Sequence, residues 1–138
     1  MSTAAGAVLR HGSCHCGAVR FSAAIDPARP TIQCNCTLCA KQRSWVAIVP
    51  RAGFTLLAGA SSSNTALGEY RCNSRTEAHR FCATCGVRVF HTGESPRWGA
   101  YVAVSVACLD DLDADALAAL PVVRLDGRSG TWAALGAP

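Results

Sequence analysis

Apolar residues in this chain recur at short, alternating intervals broken by turn residues, not at the three-and-four spacing of helices. Residues 7–11 and 18–24 flank a Cys-His-Cys turn and predict a hairpin with that turn at its tip. Residues 45–49 and 54–57 enclose the turn Pro50-Arg51-Ala52-Gly53. Three further strand candidates follow at 66–71, 77–81 and 87–91, the last two bracketing Cys82-Ala83-Thr84-Cys85. The run at 101–107 (YVAVSVA) is the clearest β signal, with Val102, Val104 and Val106 on one face. Only 113–120 reads as helical, with acidic residues in its first turn and Pro121 to stop it. Short strands separated by frequent turns predict a mainly β, antiparallel fold with one short helix. No linker or low-complexity tract divides the chain, so residues 1–138 are expected to form a single domain.

Composition narrows the class. Half of the residues are hydrophobic and 16% are charged, as in a globular protein. Residues 1–10 carry no apolar stretch of the roughly seven residues a secretory leader needs. The most apolar later stretch, 101–109, falls far short of the ~20 residues that span a bilayer. The expectation is a soluble, cytoplasmic protein with no membrane partner. Its twelve arginines and one lysine are dispersed without a run of three, which argues against a nucleic-acid partner.

The nine cysteines change the picture most. Seven fall into three groups: Cys14-His15-Cys16, Cys34-Asn35-Cys36-Thr37-Leu38-Cys39, and Cys82-Ala83-Thr84-Cys85. In a cytosol thiols stay reduced, and an odd number of cysteines with pairs one residue apart fits a disulfide framework poorly. Metal ligation fits better, because a tight turn aims neighbouring thiols at one point. Seven ligands are too many for one tetrahedral zinc and one short of two closed sites. Pairing Cys36-x-x-Cys39 with Cys82-x-x-Cys85 as a zinc ribbon leaves too long an interval and strands Cys14, Cys16 and Cys34. Keeping C-x-C-x-x-C whole is the better division. It leaves Cys14, Cys16, Cys82 and Cys85 for a closed structural zinc, and Cys34, Cys36 and Cys39 for a second zinc with one open position. Seven thiolates against two divalent ions remove three charges from the formal +4, leaving the loaded protein near +1.

With these motifs and their flanks the chain resembles the glutathione-dependent formaldehyde-activating enzymes, the GFA or centromere-protein-V domain family. The resemblance runs from Gly12 to about Gly127. It rests on Gly12-Ser13-Cys14-His15-Cys16-Gly17-Ala18-Val19-Arg20-Phe21, Cys34-Asn35-Cys36-Thr37-Leu38-Cys39, Leu57-Ala58-Gly59, Tyr70 and Asn73. It continues through His79-Arg80-Phe81-Cys82-Ala83-Thr84-Cys85-Gly86 and Asp126-Gly127. The resemblance implies the Mss4-like β-tent fold with zinc-binding knuckles. It also implies a structural zinc on Cys14, Cys16, Cys82 and Cys85 and a reactive zinc on Cys34, Cys36 and Cys39. The chain departs from many relatives at Val123-Arg124-Leu125, where they carry His and an aromatic residue.

The activity so implied is that of a carbon–sulfur lyase. It joins the thiol of glutathione to formaldehyde or a related small aldehyde, forming or cleaving S-hydroxymethylglutathione. A non-catalytic zinc- and glutathione-binding carrier is the alternative. A zinc with three thiolates and one vacancy accepts a soft ligand such as a thiol and removes its proton. Glutathione's carboxylates call for a cation, and Arg43 and Arg75 are the nearest in sequence. Trp45 reads as core, His11 and His91 as strand-face residues, and His15 as turned away from the metal. His79 could orient a zinc thiolate. Cys72 and Cys108 stand alone and receive no site.

Overall fold

The expected first hairpin forms: β1 (Val8–Ser13) and β2 (Arg20–Ile25) pair antiparallel, from Val8 opposite Ile25 to Ser13 opposite Arg20. The structure is a computed structural model describing residues 6–72 and 76–136. On β2, Phe21, Ala23 and Ile25 are buried, which is the strict alternation of a sheet with one face in the core. The other edge of β2 takes β5 (Phe54–Ala58), completing a three-stranded antiparallel sheet.

The second sheet is larger. Its strands are β3 (Thr31–Cys34), β4 (Val46–Pro50), β6 (Leu67–Tyr70), β7 (Ala78–Cys82), β8 (Arg88–Ser95), β9 (Gly99–Ser105), β10 (Val122–Leu125) and β11 (Ala134–Leu135). They lie in the order β11-β10-β3-β4-β9-β8-β7-β6. The central strands β4 and β9 are covered on both sides. Val49, Val102 and Val104 face the core shared with Phe21 of the small sheet. Val46, Tyr101 and Ala103 face the opposite way and pack with Ile32, Ile48 and Trp98. Phe54 links the layers, with its ring 5.5 Å from Phe21 and 4.6 Å from Phe90. Each such side chain removed from water stabilises the fold by about 1.5–3 kcal/mol.

Three features depart from the sequence-based expectation. Among the described residues two α-helices are present rather than one. The expected one begins after Asp113, whose Oδ1 accepts the Ala116 N–H at 2.8 Å, and covers Ala114–Ala118 (α2). The additional helix is α1 (Thr37–Gln42), only six residues long and inside the central cysteine motif. The sheet is also not wholly antiparallel, because β10 runs parallel to β3 with Leu125 beside Cys34. Finally, the run at 101–107 leaves the strand after Ser105 and turns into a short 3-10 segment at Val106–Cys108. Among the described residues no helix is long and apolar enough to cross a membrane.

Candidate metal centres

Two hairpin tips are built alike. At the end of β1, the Cys14 N–H donates to the Val19 carbonyl at 3.0 Å, and the Val19 N–H returns to the Cys14 Sγ at 3.3 Å. At the end of β7, the Cys82 N–H donates to Val87 at 2.9 Å, and the Cys85 N–H points at the Cys82 Sγ at 3.4 Å. Each turn closes on a glycine in the left-handed region, Gly17 at φ 82° and Gly86 at φ 80°. A Cβ at either would meet nothing, so backbone conformation and not crowding selects glycine there.

The two tips meet. The sulfurs of Cys14, Cys16, Cys82 and Cys85 all lie within 4.8 Å of one another. Cys16 Sγ is 3.7 Å from Cys14 Sγ and 3.6 Å from Cys82 Sγ. A disulfide would need about 2.05 Å. Four thiolates at about 2.3 Å from a tetrahedral zinc would stand about 3.8 Å apart, which this arrangement nearly matches. The backbone favours the ionised thiols: the N–H groups of Val87 and then Cys16 bring Cys85 down to about 6, and the Cys85 N–H lowers Cys82.

The second cluster is built on one loop and the helix after it. Cys34 ends β3, Cys36 caps α1, and Cys39 sits in its first turn, with the three sulfurs again within 4.8 Å. The Cys36 N–H donates to the Cys34 Sγ and the Cys39 N–H to the Cys36 Sγ, both at 3.4 Å. The thiols share their protons unequally. The hydrogen bond between Cys39 and Cys34 raises Cys39, which burial raises further, and lowers Cys34; burial raises Cys36. Among the described residues no fourth Cys, His, Asp or Glu joins this group at that spacing.

The parallel strand β10 delivers a clamp to this loop. Asn35 Nδ2 donates to Asp126 Oδ1 at 3.1 Å, and its Oδ1 accepts the Arg128 N–H at 2.9 Å. Asp126 also accepts the Ser129 hydroxyl at 2.7 Å, and these bonds hold its carboxyl below the usual range. Gly127 then lies so close that an added Cβ would stand 2.5 Å from the Cys34 Sγ and 2.8 Å from the Trp132 ring.

Beside the three thiols opens a cavity of about 500 Å³, a size suited to a small organic ligand. Cys34, Cys36 and Cys39 line it together with Tyr101, Trp98 and Trp132. His79, His91 and Glu77 also line it and belong to one bonded set with Arg88 behind them. Arg88 Nη2 reaches His79 Nδ1 at 2.8 Å and His91 Nδ1 at 2.7 Å, while its Nη1 donates to Gln42 Oε1 on α1. His91 Nε2 is 3.4 Å from Glu77 Oε2. Burial, and then the Arg88 charge, lowers His79 to about 4 and His91 to about 3, so both are neutral near pH 7. A guanidinium only donates, so both Nδ1 atoms accept and the ring proton of each sits on Nε2.

The other sequence candidates fare unevenly. Arg43 is the exposed left-handed cap of α1, at φ 53°, and is not among the cavity-lining residues. Its place is a consequence of the helix that the sequence reading missed. Arg75 and Asn73 lie outside the described residues. Among the described residues the cation on the cavity wall is Arg97, 5.7 Å over the Trp98 ring. Trp45 is core as expected, its Nε1 donating to Thr31 Oγ1 at 2.7 Å. His15 is exposed, and His11 pairs with Asp111 at 3.5 Å. His91 is a strand residue that also lines the cavity, a role its spacing did not signal. Leu125, in the segment that departs from relatives, lines the cavity as well. Cys108 is buried and donates to the Arg88 carbonyl, whereas Cys72 is half-buried on the cavity wall.

Residues 9–122 match the family described as glutathione-dependent formaldehyde-activating enzyme, GFA. The chain belongs to this family. The GFA match takes in both cysteine clusters and the His79–Arg88–His91 set, and stops before Asp126, Gly127 and Trp132. A crystal structure of a Rhodobacter sphaeroides protein is similar to this GFA chain, with a TM-score of 0.67 and 26% identity over 81% of this chain and 98% of that one.

Proposed function

We propose that this GFA-family protein is a zinc-dependent carbon–sulfur lyase that joins the glutathione thiol to formaldehyde or a related small aldehyde, and cleaves the same adduct. The observation that carries the reading is a three-thiol cluster, without a fourth protein ligand among the described residues, opening on a cavity of about 500 Å³. Cys34, Cys36 and Cys39 would hold the reactive zinc, and Cys14, Cys16, Cys82 and Cys85 the structural one. The all-sulfur donor sets suit zinc, a borderline-soft ion. Zinc held at the reactive site would supply a lowered pKa to a coordinated thiol.

The chain's own residues do the rest. The N–H groups of Cys36 and Cys39 stabilise the cluster's thiolates, and the Asn35–Asp126 clamp fixes the loop that bears them. Trp98, Trp132 and Tyr101 supply the aromatic wall against which the substrate would lie. Arg97 would supply a cation for a glutathione carboxylate on this wall, and Arg75 stays a candidate for the same part.

The test is the rate of adduct formation and cleavage with and without the zinc-loaded protein, together with binding of glutathione and S-methylglutathione. Acceleration and a marked preference for the free thiol are expected. Tight thiol binding without acceleration would instead identify a carrier, and equal affinity for the two ligands would overturn the thiolate reading.

A further inference from the structure

Among the described residues, a histidine on the cavity wall keeps one ring nitrogen without a partner. His91 is satisfied at both nitrogens, by Arg88 at Nδ1 and Glu77 at Nε2. His79 is partnered at Nδ1 alone. The residue is 7% exposed, yet no buried side-chain nitrogen or oxygen among the described residues lacks a partner. The accessible atom is therefore Nε2, and the space it reaches is the cavity that His79 lines with the three thiols. Arg88 holds the proton there: by occupying Nδ1 as an obligate donor it leaves Nε2–H as a fixed hydrogen-bond donor.

Arg88 spends its donors on two imidazoles and on Gln42, and Glu77 reaches the far side of His91 only. The consequence is a neutral imidazole whose sole free function is an N–H aimed into a pocket. A neutral histidine of this kind can polarise a carbonyl without giving up its proton.

We propose, building on the reading of the site given above, that His79 is a catalytic residue: its Nε2–H donates to the aldehyde oxygen while sulfur adds to the aldehyde carbon. In the forward step the carbon–sulfur bond forms and the carbonyl π pair moves onto oxygen. The thiol's proton is lost to water, and a proton from water ends on that oxygen, giving the neutral adduct. In the reverse step the hydroxyl proton leaves, the carbonyl re-forms and the carbon–sulfur bond breaks. The N–H contact is strongest where oxygen carries most charge, between the two ends, so it accelerates both directions equally. Arg88 is a positioning residue, acting only through the tautomer it imposes.

The experiment uses the full-length zinc-loaded chain and the variants His79→Leu and His79→Gln, with glutathione and formaldehyde as probes. Loss of one such donor costs on the order of 10²-fold in kcat. That loss is expected in His79→Leu, with two metal equivalents and the KM for glutathione retained. His79→Gln, which keeps an N–H, recovers part of the rate. In ¹⁵N-histidine-labelled wild type, the His79 Nε2–H resonance should shift when formaldehyde is added to the glutathione-loaded protein and not with glutathione alone. A His79→Leu enzyme of full kcat, or a resonance indifferent to formaldehyde, overturns the assignment while leaving the lyase reading standing. A wild type that gives no acceleration overturns both.

Discussion

Gly127 shows how closely the second cluster is fitted. No positive φ is required of it; what selects glycine is the Cys34 sulfur 2.5 Å from where a Cβ would stand, with Trp132 beside it. Gly127→Ala must push Cys34 or the Trp132 ring away, at an overpacking cost of about 1–3 kcal/mol. Displacing one ligand or its support typically weakens metal binding about 10–100-fold. The expected result is a folded protein that keeps its first metal and binds the second at least about tenfold more weakly, read from competition with a chromophoric chelator. Sequence alone could mark Asp126-Gly127 as a shared ending, but the reason for the glycine required β10 beside β3. Arg43 is the opposite case: proximity in sequence made it a candidate, and a helix cap turned it outward.

Among elements, the two hairpin tips and the central loop carry unequal structural weight. The tips of β1–β2 and β7–β8 belong to different sheets, so the sulfurs of Cys14, Cys16, Cys82 and Cys85 tie the layers together. Structural zinc supplies about 10–16 kcal/mol of apparent binding energy, comparable to the whole stability of a domain. Cys34, Cys36 and Cys39 instead lie within six residues of one segment, where metal constrains little beyond a loop and one helical turn. Cys14→Ser should therefore lose the circular-dichroism signature of the fold and both metals. Cys36→Ser should lose one equivalent and unfold near the wild-type temperature. Equal unfolding by the two would refute this division of labour. The helix α1 escaped the sequence reading because six residues give no periodicity and its cap is a cysteine, not one of the usual Ser, Thr, Asp or Asn.

For the whole molecule, the buried His79–Arg88–His91 set makes acid stability predictable in sign. Unfolded, each histidine titrates near 6.5; folded, they titrate near 4 and 3 because burial and Arg88 disfavour charge. Between those values the unfolded chain binds more protons, so stability rises with pH and is lost as pH falls from about 6.5 towards the folded values. Melting temperatures from about pH 7 to pH 5 should fall more steeply in wild type than in a His79→Gln/His91→Gln double variant. Loss of metal in acid is common to both proteins and cancels in that comparison. Parallel slopes would show that the two imidazoles take up protons equally in the folded and unfolded states.

The sequence by itself determined the strand-rich architecture, the two cysteine groupings and the family. These depend on local facts: alternation fixes strands, and thiols one or two residues apart on a turn must point together. Tertiary structure decided the rest. One face of β4 and β9 packs in the core and the other gives Val46, Ile48 and Tyr101 to the cavity wall, a division that the run YVAVSVA could not apportion. Trp98, Trp132 and Arg97 reach it from segments with no motif, and β10 enters the sheet parallel, against the trend of its neighbours. The open Nε2 of His79 depends on Arg88 of β8 meeting Nδ1 across to β7, and chain spacing holds no record of such a pairing.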